Sequence, residues 1–174
     1  LEAGISPYEP IDSPSPATFE GFVNCDTGVP FPTVTVNNST TSGFLTMAQA
    51  TAFSTNTYFM AIEERTGICR VAEIAESMGV YTGSGDELPR VPTLTLGVAE
   101  VTPLAMANAY ATFAAHGVHC EPRSILEVRD RNQKRLPVPE EKCTQVIDRP
   151  VADSVTELLS GVVDGPIAGR TGSR

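Results

Sequence analysis

A run of short polar residues, from Ser54 to Thr57, lies between two stretches of the chain that have helical character. The stretch before it is FLTMAQATAF, and the stretch after it is YFMAIEERTG. Ser, Thr and Asn side chains compete with the backbone for hydrogen bonds, so they favour helix ends over helix interiors. The pattern therefore predicts a joint between two helices, with Thr55 or Asn56 capping the second helix.

The rest of the chain has the composition of one globular domain. Of its 174 residues, 41% are hydrophobic and 19% are charged, which is enough for a single core but not for two. Residues 5–46 are rich in Pro, Ser, Thr and Gly, which predicts a loop-dominated lobe with short β-prone pieces. Helices are expected mainly over residues 46–117, followed by a hairpin, one more helix and a short final strand.

Three further helices are predicted from apolar periodicity and from signals at their ends. The first ends at Gly79, and the second runs from a cap at Thr102, with Pro in its first turn, to Gly117. The third begins after Asp148. It carries one apolar stripe, which consists of Val151, Val155, Leu158 and Val162.

Charge and chain length exclude several functions. The net charge of −9 opposes a phosphate-binding surface, so no nucleic acid partner is expected. No apolar run approaches the roughly 20 residues of a membrane-spanning helix. Glu63, Glu64 and Glu76 are interpreted as a solvated helix face rather than as paired carboxylates. The opening LEAG resembles the last turn of a helix closed by Gly4, so we expect a segment of a larger protein.

The four cysteines, Cys25, Cys69, Cys120 and Cys143, form no Cys-x-x-Cys pair, which argues against a zinc ribbon. Two disulfides are favoured. Cys120–Cys143 is supported by the hairpin predicted between the two residues, and Cys25–Cys69 follows by elimination, although other pairings remain open. Disulfides indicate a compartment outside the cytoplasm.

A metal site formed by His116, His119 and Cys120 is not favoured. These residues crowd one loop, and no fourth ligand lies nearby in the sequence. We therefore expect neither a metal nor another cofactor.

Two short motifs occur in a fixed order along the chain. Ser54-Thr55-Asn56 has the form Ser-x-Asn, and a basic residue, Thr, Gly and a small hydroxyl residue follow each other over 170–173. Each motif alone is weak. Together they resemble the second and third motifs of the penicillin-binding serine acyltransferases, whose first motif is Ser-x-x-Lys.

The sequence around the motifs extends this resemblance to nearly the whole chain. ATAFSTNTYF, LTLGVAEVTPLAMANAYATFAAHGVHC and PIAGRTGS are similar to transpeptidase domains of bifunctional, class A penicillin-binding proteins. The placement of the cysteines is similar to that in actinobacterial members. LEAGISP resembles the tail of the helix that begins with Ser-x-x-Lys in that family.

The resemblance implies a mixed α/β fold of the penicillin-binding and serine β-lactamase type. An all-helical lobe would be formed mainly by residues 46–117, and an antiparallel sheet flanked by helices would form the other lobe. Residues 118–174 would supply a hairpin, a helix and the edge strand of the active site. The 174 residues would then be a partial domain with an incomplete sheet, stable only with the rest of its domain.

The activity implied is serine acyl transfer. A serine attacks the penultimate D-alanine carbonyl of a peptidoglycan stem peptide, D-alanine leaves, and an amine of a neighbouring stem takes the acyl group. β-Lactam antibiotics would acylate the same serine. The expected partners are stem peptides, β-lactams and the remainder of the domain upstream and downstream. The expected location is the extracytoplasmic face of a bacterial membrane, in a membrane-anchored parent protein.

Carried over from the family, Ser54 relays protons between the motif-one lysine and the leaving nitrogen. Asn56 holds that lysine and hydrogen-bonds the amide of the substrate. Arg170 sets the electrostatics near Ser54 and attracts the substrate carboxylate.

The remaining carried-over residues bind substrate. Thr171 would bind the carboxylate, and Gly172 would leave room for substrate beside the strand. The backbone N–H of Ser173 would donate to the oxyanion, a contact worth about 3–4 kcal/mol in the transition state.

The chain departs from the family pattern in two ways. It has no Ser-x-x-Lys. The only lysines are Lys134 and Lys142, and the residues three positions before them are Arg131 and Pro139 rather than serine. The nucleophile and general base are therefore expected on a segment upstream of this chain. Arg170 stands where the family usually has Lys, and Arg keeps the charge but does not exchange protons.

Two alternatives stay open at this stage. A catalytically silent β-lactam sensor or scaffold would keep the motifs without turnover. A serine β-lactamase would need a base for deacylation, and no glutamate has an obvious position for that role. The upstream sequence would discriminate between them.

Overall fold

The computed structural model describes residues 1–167 and 169–172. Within these residues, five α-helices form in the regions where the sequence predicts helices. The helices are α1 Met47–Phe53, α2 Asn56–Thr66, α3 Ile68–Ser77, α4 Pro103–Ala114 and α5 Arg149–Val163, with one 3-10 turn at Leu94–Leu96. Helices α1, α2 and α3 follow one another closely, whereas long loops with short strands or turns precede α4 and α5.

In the described part of the chain, eight short strands form four separate antiparallel pairs, so the fold is the mixed α/β type that the resemblance implied. Two pairs lie in the N-terminal lobe and two follow α4. The pairs are β1 Ile11–Ser13 with β4 Gly43–Leu45, β2 Ala17–Phe19 with β3 Val34–Val36, β5 Val118–Cys120 with β8 Cys143–Gln145, and β6 Val128–Arg129 with β7 Arg135–Leu136. Within residues 1–167 and 169–172, no two of these pairs join into a larger sheet.

Apolar side chains gather in three clusters around the helices. One cluster joins α3, α4 and the start of α5, with Ala72, Ala109 and Ala152 buried at close helix contacts. The other two lie on either side of α2, where Tyr58 contacts β1 and β4 and Met60 contacts the β2–β3 pair. Helix α2 is thus the element that links the N-terminal lobe to the helices.

Helix ends follow the sequence signals in part. Thr46 and Gln49 form a reciprocal capping box at the start of α1. Thr102 caps α4 by accepting a hydrogen bond from the Ala105 N–H at 3.2 Å, as predicted. Asp148 occupies the capping position of α5, but its side chain makes no capping hydrogen bond there.

Both predicted disulfides are present. Cys25–Cys69 ties the N-terminal lobe to the first turn of α3. Cys120–Cys143 joins directly opposed residues of β5 and β8, at the base of the segment that carries the hairpin. The first link therefore holds the N-terminal lobe to the helices, and the second closes the base of the loop that carries the hairpin.

The hairpin at 126–136 differs from its prediction. It forms, with its turn after Arg129, but it is exposed rather than half-buried. Leu126 is 72% exposed and Val128 is 37% exposed. The alternating pattern identified the strand correctly, whereas the partner that would cover its apolar face is not among the described residues.

The prediction that three glutamates form a solvated face is wrong. Glu63 is 1% exposed. Glu64 accepts hydrogen bonds from the backbone N–H groups of Glu20 and Gly21, at 3.1 and 2.7 Å. Glu76 accepts from the Leu88 N–H at 2.9 Å, and it also pairs with a nearby arginine. The helical spacing gave no sign of these loops, because they fold back from distant parts of the chain.

Burial raises the pKa of the Glu63 carboxyl from about 4.5 to about 7, against a weaker lowering effect of the Thr95 backbone. Neither of its oxygens has a hydrogen-bond partner of normal geometry among the described residues. The folded state therefore holds the proton over a pH range in which the unfolded chain has released it.

We predict that the stabilising effect of the protonated Glu63 carboxyl is complete below about pH 4.5 and is lost as the pH rises through about 7. Thermal unfolding of wild type and Glu63→Gln between pH 4.5 and 8 checks this. The melting temperature of the wild type should fall relative to that of Glu63→Gln as the pH rises. Exposed Glu140→Gln controls for the loss of a surface carboxylate, and parallel curves for Glu63→Gln and wild type would contradict the prediction.

Candidate active site

The joint between α1 and α2 is built on a left-handed residue. Ser54 ends α1 with φ 53° and ψ 54°, a region that glycine or asparagine usually occupies at a helix end. The backbone N–H groups of Ser54 and Thr55 bond back to the Thr51 and Ala50 carbonyls, at 3.2 and 3.0 Å. The Ser54 side chain is exposed, and its hydroxyl makes no hydrogen bond with the residues that the structure describes.

Left-handed backbone costs a non-glycine residue about 1–2 kcal/mol. A chain selected only for an efficient helix end would place Gly at position 54. The serine hydroxyl therefore indicates a use beyond capping, because the turn presents it to solvent at some cost in stability.

Neither residue predicted to cap α2 does so with its own side chain. Thr55 occupies the N-cap position, but its hydroxyl is fully buried and makes no capping hydrogen bond. The Asn56 amide group points away from its own helix and donates to the Asn37 carbonyl at 2.9 Å. The Asn56 side-chain oxygen keeps its capacity to accept hydrogen bonds.

The segment that carries the other motif, residues 170–172, lies beside this joint. Thr171 donates two hydrogen bonds to the carbonyl of Ala52, one from its backbone N–H at 2.8 Å and one from its hydroxyl at 3.1 Å. Ala52 precedes Ser54 by two residues. The fold thus brings together two segments that are separated by 119 positions along the chain.

Residues 169–172 lie in turns and irregular backbone rather than in the predicted edge strand. The Arg170 guanidinium donates to the Val163 carbonyl at 2.7 and 3.0 Å and to the Ile167 carbonyl at 3.3 Å. These bonds place a positive charge at the carboxyl end of α5, where the helix dipole is negative. The guanidinium is directed at the helix end, whereas the family role predicted for it lies near Ser54.

Gly172 packs against the last turn of α5. A Cβ atom at this position would lie 2.5 Å from the Val162 carbonyl oxygen and 3.1 Å from its carbon. The open side of this glycine, which was predicted to accommodate substrate, faces the helix backbone. Ser173 lies outside the described residues.

The chemistry available at the joint is hydrogen bonding and proton relay. Ser54 offers an exposed hydroxyl, and Asn56 offers an amide oxygen two positions along. Both groups suit the recognition of an amide or an ammonium. Such groups orient a ligand and pass a proton, whereas attack on a carbonyl also needs a nucleophile with an adjacent base.

A separate apolar cavity of about 600 Å³ lies between α1, α2, α3 and α5. Phe59, Ile74 and Leu158 are among the residues that line it, and Leu1 lies at its margin. None of the motif residues that the structure describes, Ser54 to Asn56 and Arg170 to Gly172, lines it. The N-terminus is held at this margin by an ion pair between Glu2 and Arg70, at 2.6 Å. The cavity is a gap in the helical packing and not a site for a polar substrate.

Cys120, Glu141 and Cys143 lie close enough to suggest a metal site, but the two cysteines are joined in a disulfide and offer no thiolate. His116, in turn, contacts Asp153 at 2.5 Å, and this hydrogen bond lowers the pKa of the Asp153 carboxyl. None of the described helices is both long and apolar enough to cross a membrane.

Asn38 is a residue of this site that the sequence analysis missed. Its side-chain oxygen accepts from the Thr57 N–H at 2.9 Å and so supplies the cap that α2 otherwise lacks. The available signal was an asparagine, a good capping residue, in a polar loop upstream of an uncapped helix. Nothing in the local sequence indicated which helix it would cap.

Comparison with known proteins gives one consistent family. The penicillin-binding protein transpeptidase domain matches residues 23–173. Penicillin-binding protein 1A of Aquifex aeolicus is 30% identical over 142 residues, which cover 75% of this chain and 19% of that protein. Penicillin-binding protein 1A of Clostridium novyi is 30% identical over 152 residues, which cover 78% and 18%. The chain spans about a fifth of the length of these relatives.

Solved structures show the same fold. Penicillin-binding protein 1A from Haemophilus influenzae superimposes with a TM-score of 0.79 at 21% identity, over 97% of this chain and 28% of that one. The Mycobacterium tuberculosis protein PonA1, in complex with penicillin V, superimposes with a TM-score of 0.69 at 26% identity, over 97% and 46%.

We predict that Gly172→Ala lowers the free energy of unfolding by about 1–3 kcal/mol, since the new methyl group must push the turn away from the Val162 carbonyl. Chemical denaturation measures the change. Gly161→Ala is the matched control within α5, because a Cβ there meets nothing within 4 Å and alanine favours the helix by up to about 1 kcal/mol. Equal stability of Gly172→Ala and wild type would show that the turn does not rest on α5.

Proposed function

This chain belongs to the penicillin-binding protein transpeptidase family, and on that basis we propose that it is part of a D,D-transpeptidase that cross-links peptidoglycan by serine acyl transfer. The substrate would be the D-Ala-D-Ala end of a stem peptide, and β-lactams would acylate the same enzyme. The relatives of class A, penicillin-binding proteins 1A of two bacteria, support membership of that class.

One observation carries the proposal. The Thr171 backbone and hydroxyl both bond to the carbonyl of Ala52, so the Arg-Thr-Gly segment lies against the turn that exposes Ser54. Two motifs that are individually weak in the sequence therefore meet at one place on the surface. Residues that act on one substrate must lie close together, and the proximity of the two motifs meets this requirement.

Within this site, the Ser54 hydroxyl would relay a proton to the leaving nitrogen, which its exposure and lack of a described hydrogen-bond partner favour. Asn56 would accept a hydrogen bond from a lysine ammonium through its side-chain oxygen, while its amide nitrogen stays bonded to Asn37. Thr171 would bind the substrate carboxylate once its hydroxyl leaves the Ala52 carbonyl, and Ser173, beyond the described residues, would bind the oxyanion.

Arg170 would act in two ways. It holds the Thr171 turn against α5, and its positive charge would raise the local concentration of a carboxylate substrate. Direct binding of that carboxylate would require the guanidinium to leave the Val163 carbonyl. Because Arg does not exchange its proton at neutral pH, proton transfer would fall to Ser54 and to a lysine outside this chain.

The nucleophilic serine and its lysine would lie on a helix that precedes these residues. The apolar cavity between α1, α2, α3 and α5 supports this placement, because apolar side chains form most of its lining and Leu1 is among them. Such a helix would bury the half-exposed stripe of α5 and complete the core. We propose an extracytoplasmic location, which the two disulfides favour, and a membrane anchor elsewhere in the parent protein.

A catalytically silent scaffold remains the second candidate function, since Arg170 replaces the usual Lys. The actinobacterial origin stays a prediction: PonA1 of Mycobacterium tuberculosis shares 26% identity, but the relatives from Aquifex and Clostridium share 30%.

We predict that Ser54→Gly in the complete natural protein separates function from stability. Glycine accepts the left-handed turn, so the free energy of unfolding should stay unchanged or rise by up to about 1 kcal/mol. Acylation by benzylpenicillin should fall by about 10²–10⁴-fold, because the proton relay is lost. Chemical denaturation and intact-mass kinetics measure the two effects.

Gln133→Gly is the matched control, because Gln133 is also left-handed, at φ 66°, and lies in the exposed hairpin turn. It should relieve strain without changing acylation. A wild-type protein that gains one benzylpenicillin adduct supports the acyltransferase. A wild-type protein with no adduct would favour the silent scaffold, and Arg170→Lys would then be the first reversion to test.

A further inference from the structure

A short segment of the N-terminal lobe, residues 37–40, runs along the α1–α2 joint and is hydrogen-bonded to both sides of Ser54. Before Ser54, the Thr40 hydroxyl donates to the Phe53 carbonyl at 2.6 Å. After it, the Asn37 carbonyl accepts from the Asn56 side chain at 2.9 Å. We refer to residues 37–40 as the strap. These contacts fix the two positions that flank the exposed serine.

Asn38 is the anchor of the strap. Its side-chain oxygen accepts from the Thr57 N–H at 2.9 Å, and its amide nitrogen donates to the Thr57 hydroxyl at 2.9 Å and to the Ser13 carbonyl at 3.2 Å. Its own backbone N–H donates to the Ser15 hydroxyl at 2.9 Å. One half-buried side chain thus connects the end of β1 to the first turn of α2.

The bonds of Asn38 compensate for a defect in the helix. The first N–H groups of a helix have no partner within it, and Thr55 at the N-cap position does not supply one from its side chain. Asn38, 19 positions upstream of Thr57, takes over this role. The beginning of α2 is therefore oriented by the N-terminal lobe as well as by its own sequence.

The same contacts select the orientation of the Asn56 amide. Since its nitrogen donates to the Asn37 carbonyl, its oxygen is the atom left to accept from a ligand or an ammonium. If Asn38 lost its bonds, the Asn37 carbonyl would no longer be held and the amide could rotate. The Ser54 turn would also lose its constraint on the α2 side.

We propose that Asn38 is a positioning residue of the acyl-transfer site, which holds the Ser54 hydroxyl and the Asn56 oxygen in register through the strap; this role rests on the function proposed above. Asn38-Ser39-Thr40 has the Asn-x-Ser/Thr form of a glycosylation site, but the role proposed here is incompatible with that modification, because the oxygen and the nitrogen of the Asn38 side chain are both engaged. Asn38 would not touch the substrate itself.

The test measures acylation of the complete natural protein by benzylpenicillin, with the maximal acylation rate separated from the concentration for half-maximal rate. Asn38→Ala should lower the maximal rate about 10–100-fold and change the half-saturating concentration less than threefold. A purely structural role would instead reduce the fraction of active protein at an unchanged rate per active molecule. Titrating the active fraction with saturating drug distinguishes the two.

Two milder variants keep the test decisive where Asn38→Ala folds poorly. Asn38→Asp keeps the acceptor for the Thr57 N–H but loses the bond to Ser13, and it should recover part of the lost rate. Thr57→Val removes only the hydroxyl that Asn38 contacts, and it should lower the maximal rate about 3–10-fold.

Ser39→Ala is the matched control, because Ser39 lies in the strap, is exposed, and bonds to no described residue through its side chain. Its rate should stay within twofold of wild type. Asn38 and Thr57 variants that also stay within twofold would overturn the positioning role while leaving the acyltransferase intact. A wild-type protein without any adduct would overturn the proposed function itself, and with it the role of Asn38.

Discussion

The left-handed turn at Ser54 is the constraint on which the candidate site depends. It lets α1 stop and α2 begin within two residues, so that a hydroxyl and an amide emerge together at one surface. Such a turn is unfavourable for serine. It persists because other segments hold it: the strap bonds to Phe53, Asn56 and Thr57, and the segment at Thr171 bonds to Ala52.

The cap of α2 comes from a distant segment instead of from the residues next to the helix. A local cap stabilises a helix by itself, and the local candidates Thr55 and Asn56 were available. The structure uses them otherwise: Thr55 is buried, and Asn56 faces the strap. The capping group comes from Asn38 instead, so that α2 has its full set of bonds only when the N-terminal lobe is in place. Local helix stability and site geometry thereby become one cooperative property.

The sequence predicted what depends on local pattern. Helix α4 begins at Thr102 and Pro103 as expected, and Cys120–Cys143 pairs across the predicted hairpin, because capping, proline placement and hairpins act over short distances. Cys25–Cys69 pairs as expected by elimination. The site roles assigned to the two motifs stay a prediction. Long-range partners could not be predicted in this way. The buried state of Glu63, the cap from Asn38 and the bond of Arg170 to the α5 end all depend on segments that meet only in the folded chain.

The apolar cavity bears directly on the geometry of the two motifs. Helices α1 and α5 form two of its walls, and each also supports one motif: Ser54 ends α1, and Gly172 rests on Val162 of α5. The distance between these helices therefore fixes how far the Thr171 segment stands from the Ser54 turn. A close-packed helix in the cavity would hold that distance, since packed interiors resist compression and expansion. Packing around the cavity and alignment of the motifs are therefore linked, because the same two helices contribute to both.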